Sequence, residues 1–266
     1  MPSPVSYSFA DGIARITLDD GDRGNPIHPG SVAALLESVR RAGADSARVI
    51  VLSSTGRFFS VGGDIAGFGG AEDVGSFVDD LAETLHRAIS ELLRSPAIVV
   101  SVVQGVAAGA GFPLAAAADV VLAGRSAKFT LGYTKIGFSV DGGTSLLVHT
   151  LGLHRVLRLA LLNDLIGAEE AQAAGLVARV VEDDELAATA EAIAVQLAAG
   201  SAGAQAATKR LLREVAEKAP ESVMRAESLS IRARSTEADG REGVRAFLDK
   251  RTPEFNVEVD ETLLGG

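Results

Sequence analysis

The chain has 266 residues, no cysteine and a formal net charge of −10. The lack of cysteine excludes disulfides, thiolate nucleophiles and Cys-ligated zinc, and the acidic balance argues against general nucleic-acid binding, which needs a basic footprint. The length suits one large domain, and 47% of the residues are hydrophobic, enough for a substantial core. Aromatics are few (10 Phe, 2 Tyr, no Trp), so Ala and Gly dominate the packing. The opening stretch MPSPVSYSFADG lacks the basic and apolar regions of a signal peptide. No apolar run approaches the ~18 residues of a membrane span. A cytoplasmic protein with neither membrane nor nucleic-acid partners is expected.

In chain order, VSYSF, a turn at Asp11 and Gly12, and IARITL read as a β-hairpin. The polar loop DDGDRGNPIHPGS follows. Pro29 stands where a helix can begin, and SVAALLESVRRA has helical periodicity. RVIVLSS is a short β-branched strand. VDDLAETLHRAISELLRS is a long amphipathic helix stopped by Pro96, with His86 expected at its surface. AIVVSVV is a buried strand, QGVAAGAGFPLAAAAD a glycine turn entering an alanine-rich helix, and VVLAG and AKFT short strands. From Gly142 the pattern is helical (TSLLVHTLG, HRVLRLALL, AEEAQAAG), interrupted by one last strand, VARVV; three or four helices then occupy residues 183–250. The style changes near Gly200, from an α/β core to a helical appendage.

Three glycine-containing turns concentrate the chemistry: FSVGGDI at residues 59–65, GVAAGAGF at 105–112 and GFSVDGGT at 137–144. None is a phosphate-binding P-loop, because no glycine is followed by Lys and then Ser or Thr; G-x-G-x-x-G fails because Leu114 holds the third glycine's place. GFSVD misses the nucleophile elbow G-x-S-x-G at Asp141. Two readings remain for the first two turns. They are tight bends in a small-residue core, or they present main-chain N–H groups to a ligand oxygen that gains negative charge. His28, His149 and His154 have no metal-ligand spacing, and Ser139 lacks a partner histidine at hydrolase spacing, so no metal is expected.

FFSVGGDI, QGVAAGAGF, LAAAADVVLAGRSAKFT, AEEAQAAGLVARVV and REGVRAFLDKRTPEF occur in the order and at about the spacing of the enoyl-CoA hydratase/isomerase (crotonase) superfamily, which this chain resembles over residues 5–255. The resemblance implies an α/β fold: a spiral of strand–strand–helix repeats over residues 1–198, followed by a C-terminal helical segment, 199–266, used in trimer contacts. It implies an acyl-CoA substrate, a homotrimer or dimer of trimers, and no cofactor beyond the CoA carried by the substrate. It places the oxyanion hole on the amides of Gly63 and Ala110. Gly62 and Gly109 shape those turns, with Val61, Asp64 and Ile65 beside them, Asp64 as a brace. Arg23, Phe247 and Lys250 fall where relatives contact CoA. Tyr133 donates a proton or lines the pocket.

The same resemblance bears on the reaction. The two hydratase glutamates fall on Pro113 and Tyr133, neither a carboxylate. The remaining acid is Asp141, which either caps the following helix or serves as the single base of a double-bond shift. The leading expectation is an enoyl-CoA isomerase with Asp141 as proton-transfer base. A hydratase with a non-standard acid/base set and a non-catalytic acyl-CoA-binding subunit are the alternatives. Dehalogenation is disfavoured by the absence of Trp.

Overall fold

The computed structural model describes residues 3–216 and 219–255. Strands β1 (Val5–Ala10) and β2 (Ile13–Leu18) form the expected hairpin, and Asp11 and Gly12 at its tip both take positive φ. Helix α1 (Pro29–Ala44) starts with Pro29 in its first turn, while the His28 ring and the Ser31 hydroxyl cap it reciprocally. Strand β3 (Val49–Ser54) leads through the first glycine turn to α2 (Ile65–Gly69) and then α3 (Val74–Arg94). Helix α3 begins four residues before the periodicity indicates, because the Asp73 carboxylate accepts the Ser76 amide at 3.0 Å and caps it.

The chain then runs through β4 (Ile98–Val103), β5 (Val106–Ala108), α4 (Gly111–Ala116), β6 (Val120–Gly124) and β7 (Lys128–Thr130). Next come α5 (Leu147–Leu151), α6 (Leu153–Leu161), β8 (Leu165–Gly167), α7 (Ala168–Ala173) and β9 (Arg179–Val181). Four helices follow: α8 (Leu186–Ala199), α9 (Ala202–Ala216), α10 (Pro220–Thr236) and α11 (Ala238–Leu248). Residues 256–266 of the expected C-terminal segment lie outside the described residues.

The strands divide between two sheets. The larger has the order β1-β2-β3-β4-β6-β9, parallel from β2 onward; the smaller has the order β5-β7-β8. Successive turns of the chain thus place β4 in the large sheet and β5 in the small, then β6 and β7 likewise, which is a spiral. Alternation along each strand sends its side chains to opposite faces. Val49, Val51, Val100, Val102 and Leu122 pack under Ala190 and Ala194 of α8. Ile50, Leu52 and Val99 join the main core with α1 and α3. Helix α10 lies along α3, held by Arg225 to Asp79 and Glu83 and by Arg94 to Glu221. The expected division at residues 198 and 199 falls inside the last turn of α8, which packs on the large sheet, and α9 begins at Ala202.

Among the described residues no helix is long and apolar enough to cross a membrane.

Candidate active site

The first glycine turn is stitched to β5: the Ser60 amide donates to the Val106 carbonyl and the Ala108 amide to the Ser60 carbonyl. The Ser60 hydroxyl donates to the Asn25 carbonyl and accepts the Gly62 amide at 3.1 Å. Gly62 has φ +87°, and a Cβ there would meet the Ala108 carbonyl oxygen at 2.9 Å, so conformation and space both demand glycine. On either side of residue 63 the chain is fixed by Ile27, whose amide donates to Gly62 and whose carbonyl accepts from Asp64. The Gly63 amide itself finds no protein acceptor among the described residues.

The second turn behaves alike. Gly109 (φ +51°) donates to the Thr130 carbonyl, and Phe112 closes onto Gly109, but the Ala110 amide between them has no protein acceptor among the described residues. The two turns touch, since a Cβ on Gly109 would lie 3.4 Å from the Gly62 Cα. Buried backbone N–H groups are rarely left unpaired in native proteins. An unpaired amide on buried Ala110 and another on half-buried Gly63, on adjoining turns at one cavity, make a site that fits an incoming oxygen.

That cavity has a volume of about 230 Å³. Its walls include Gly63, Ala110, Val61, Ile65, Gly109 and Phe247, with Phe68, Leu85 and Ile231 as apolar faces. Phe68 stacks on Phe138, ring centres 5.9 Å apart. Among its described lining residues Asp141 is the sole carboxylate. Two larger clefts, about 600 and 610 Å³, run along α9, but neither contains either turn.

Asp141 is 6% exposed. Its main-chain carbonyl accepts from the Tyr133 hydroxyl at 3.0 Å and the Thr144 hydroxyl at 2.7 Å. Its side chain caps no helix. Oδ1 instead lies 2.9 Å from His86 Nε2, in a contact where neither atom has an aligned hydrogen-bond partner. No described residue bonds Oδ2. Burial, together with the charges of Asp141 and Glu227, holds the Tyr133 hydroxyl well above its ordinary pKa, so it stays protonated and serves as a donor.

His86 is therefore not at the surface as its helix suggested: it is 5% exposed. The signal lay in the spacing, for Ala82, His86, Ile89 and Leu93 succeed one another at helical intervals on the buried stripe of α3. Burial disfavours the imidazolium, yet the adjacent Asp141 and the charges of Glu227 and Glu83 outweigh it and raise the His86 pKa. The buried Glu227 on α10 was also missed. It shares the stripe of Met224 and Ile231 and accepts the amides of Gly143 at 2.7 Å and Ser145 at 2.6 Å. Burial raises its pKa, against the pull of those two amides.

The ligand atoms of His86, Asp141 and Glu227 lie within 4.8 Å of one another. Both Glu227 oxygens are already occupied by amides, and the 2.9 Å separation of His86 from Asp141 is direct contact. The trio fits an internal buried network better than a metal centre.

Of the remaining expected residues, Arg23 pairs with Asp20 and Asp64, so Asp64 ties the turn to the preceding loop. Lys250 is exposed and does not line the cavity. Pro113, on α4, lines one of the α9 clefts instead.

The model of the family described as Enoyl-CoA hydratase/isomerase matches residues 8–258. The chain belongs to this family. It is 36% identical over 252 residues to a probable enoyl-CoA hydratase of Rhodobacter capsulatus, covering 94% of this chain and 97% of that protein. It is 35% identical over 251 residues to the 1,2-epoxyphenylacetyl-CoA isomerase of Escherichia coli, covering 92% and 95%. The crystal structure of an enoyl-CoA hydratase from Mycobacterium avium subsp. paratuberculosis superposes with a TM-score of 0.87 at 30% identity, covering 96% of this chain and 99% of the other. The fold is the crotonase fold, and family members act on acyl-CoA substrates.

Proposed function

We propose that this family member is an enoyl-CoA isomerase that shifts a double bond through a thioester enolate. The observation carrying the reading is that one cavity holds two acceptor-free amides, those of Gly63 and Ala110, and a single carboxylate, that of Asp141. The amides bind the thioester oxygen and stabilise the negative charge it gains when a proton leaves the neighbouring carbon. Asp141 takes that proton on Oδ2 and returns it two carbons away. One base suffices. Phe68, Phe138 and Ile231 keep the acyl chain and the reacting carbons out of water.

Hydration would use two carboxylates to hold a water. Glu227 does not supply the second, because it lies outside the cavity lining with both oxygens committed to residues 143 and 145. Phe247 at the cavity mouth, together with Arg23 and Lys250, would meet the CoA moiety, with no cofactor beyond it. Leu211, Leu212 and Val215, at 61, 67 and 81% exposed, give α9 the uncovered apolar face that trimer formation would bury. Sedimentation velocity tests that assembly.

The activity test incubates 3-enoyl-CoA and 2-enoyl-CoA separately with wild type and Asp141→Asn. Interconversion by wild type and its loss in Asp141→Asn support the reading. Undiminished isomerisation by Asp141→Asn removes Asp141 from the chemistry. Water addition to crotonyl-CoA that outpaces isomerisation replaces the reading with a hydratase, and binding without turnover across a thioester panel replaces it with a binding subunit.

A further inference from the structure

His86 meets Asp141 from behind the cavity. It is a buried side chain on α3, absent from the cavity lining, with its Nε2 2.9 Å from Asp141 Oδ1. Glu227 Oε2 lies 3.9 Å from the same Nε2 and 2.7 Å from the Gly143 amide. The loop carrying Asp141 is thus gripped from two helices: α3 holds the carboxylate and α10 holds the main chain beyond it. Gly142 and Gly143, both at positive φ, carry no side chain, and the Thr144 and Tyr133 hydroxyls hold only the Asp141 main-chain carbonyl.

We propose that His86 is the positioning residue of the Asp141 base: packed against Oδ1, it leaves Oδ2 to face the acyl chain. The inference rests on the isomerase reading above. The groups facing His86 are Asp141 on the loop, Glu227 on α10 and Glu83 one turn away on α3. Glu83 is itself paired with Arg225. With its ring in contact with Oδ1, His86 limits rotation of the carboxylate about its last bond, so the geometry is set before substrate arrives.

The test compares His86→Gln with wild type in KM and in kcat per folded molecule. Gln retains an N–H near Nε2 but carries no charge. Because His86 does not touch substrate, KM should stay within about twofold while kcat falls about tenfold, the pattern of a lost transition-state interaction. A merely structural role would lower the amount of folded enzyme without changing kcat per folded molecule.

A second measurement needs no change at His86. The imidazole nitrogen resonances of the folded protein, titrated in wild type and in Asp141→Asn, should show the His86 pKa falling when Asp141 loses its charge. A His86→Gln protein with wild-type kcat overturns the proposal, as does a His86 titration indifferent to Asp141→Asn. Failure of the isomerase reading is separate: it appears as full activity of Asp141→Asn or as absence of isomerisation by wild type.

Discussion

Ala110→Pro removes one of the two free amides at little cost to the fold. Proline holds φ near −65°, and Ala110 already sits at −64°. The residue before a proline avoids the right-handed helical region, and Gly109, with φ +51°, is outside it. The lost N–H has no protein acceptor among the described residues, so no internal hydrogen bond breaks. Stability should therefore change by less than about 1 kcal/mol. Catalysis should not survive so well. Losing one donor from an oxyanion site costs ~10²–10³ in kcat, or about 2.7–4 kcal/mol. The assay measures kcat and KM on the enoyl-CoA that wild type turns over best, with thermal melting alongside. Ala110→Gly keeps the N–H and should stay within a few-fold of wild type. A folded Ala110→Pro protein within about fivefold of wild-type kcat would refute the assignment of the Ala110 amide.

Three further outcomes follow from the packing. Gly62→Ala forces a left-handed alanine against the Ala108 carbonyl; it should destabilise by about 1–3 kcal/mol in urea and lower kcat by misplacing the next amide. Lys209→Met leaves the Leu92 and Ala97 carbonyls without the ammonium they share and takes a partner from Asp119, a loss of about 3 kcal/mol in urea unfolding with KM unchanged. The raised His86 pKa makes a stability contribution that is complete below its unfolded value of about 6.5 and is lost as pH rises through its folded value. Urea midpoints should consequently fall as pH rises above about 6.5, and the part due to His86 should vanish in His86→Gln; a slope identical in both proteins contradicts the raised value.

Much of this molecule was legible from residue order. The hairpin declared itself through Asp11 and Gly12, α1 through Pro29, and β3 and β4 through short runs rich in Val and Ile. Strand β5 did not: its three residues, Val106 to Ala108, are mostly alanine and sit within a glycine turn, so a strand of the small sheet looked like the approach to a helix. Strand β8, also three residues long, was hidden among helical patterns and exists because it pairs with β7. At the site, the glycines marked both turns because φ and space restrict them locally. His86 and Glu227 were hidden because a polar residue on an apolar stripe is accommodated only by a partner from elsewhere in the chain. Asp141 and residues 143 and 145 are that partner, and sequence spacing alone does not bring α3, the loop and α10 together.

The grip of Glu227 on residues 143 and 145 also orders events in the making of the protein. Both sheets are complete once β9 has left the ribosome, yet the clamp on the loop carrying Asp141, and the walls supplied by Ile231 and Phe247, arrive only with α10 and α11. A nascent chain halted before residue 220 would own its spiral but lack the Glu227 clamp on residues 143 and 145. Supplying those last helices as a separate peptide would then restore the clamp and close the cavity.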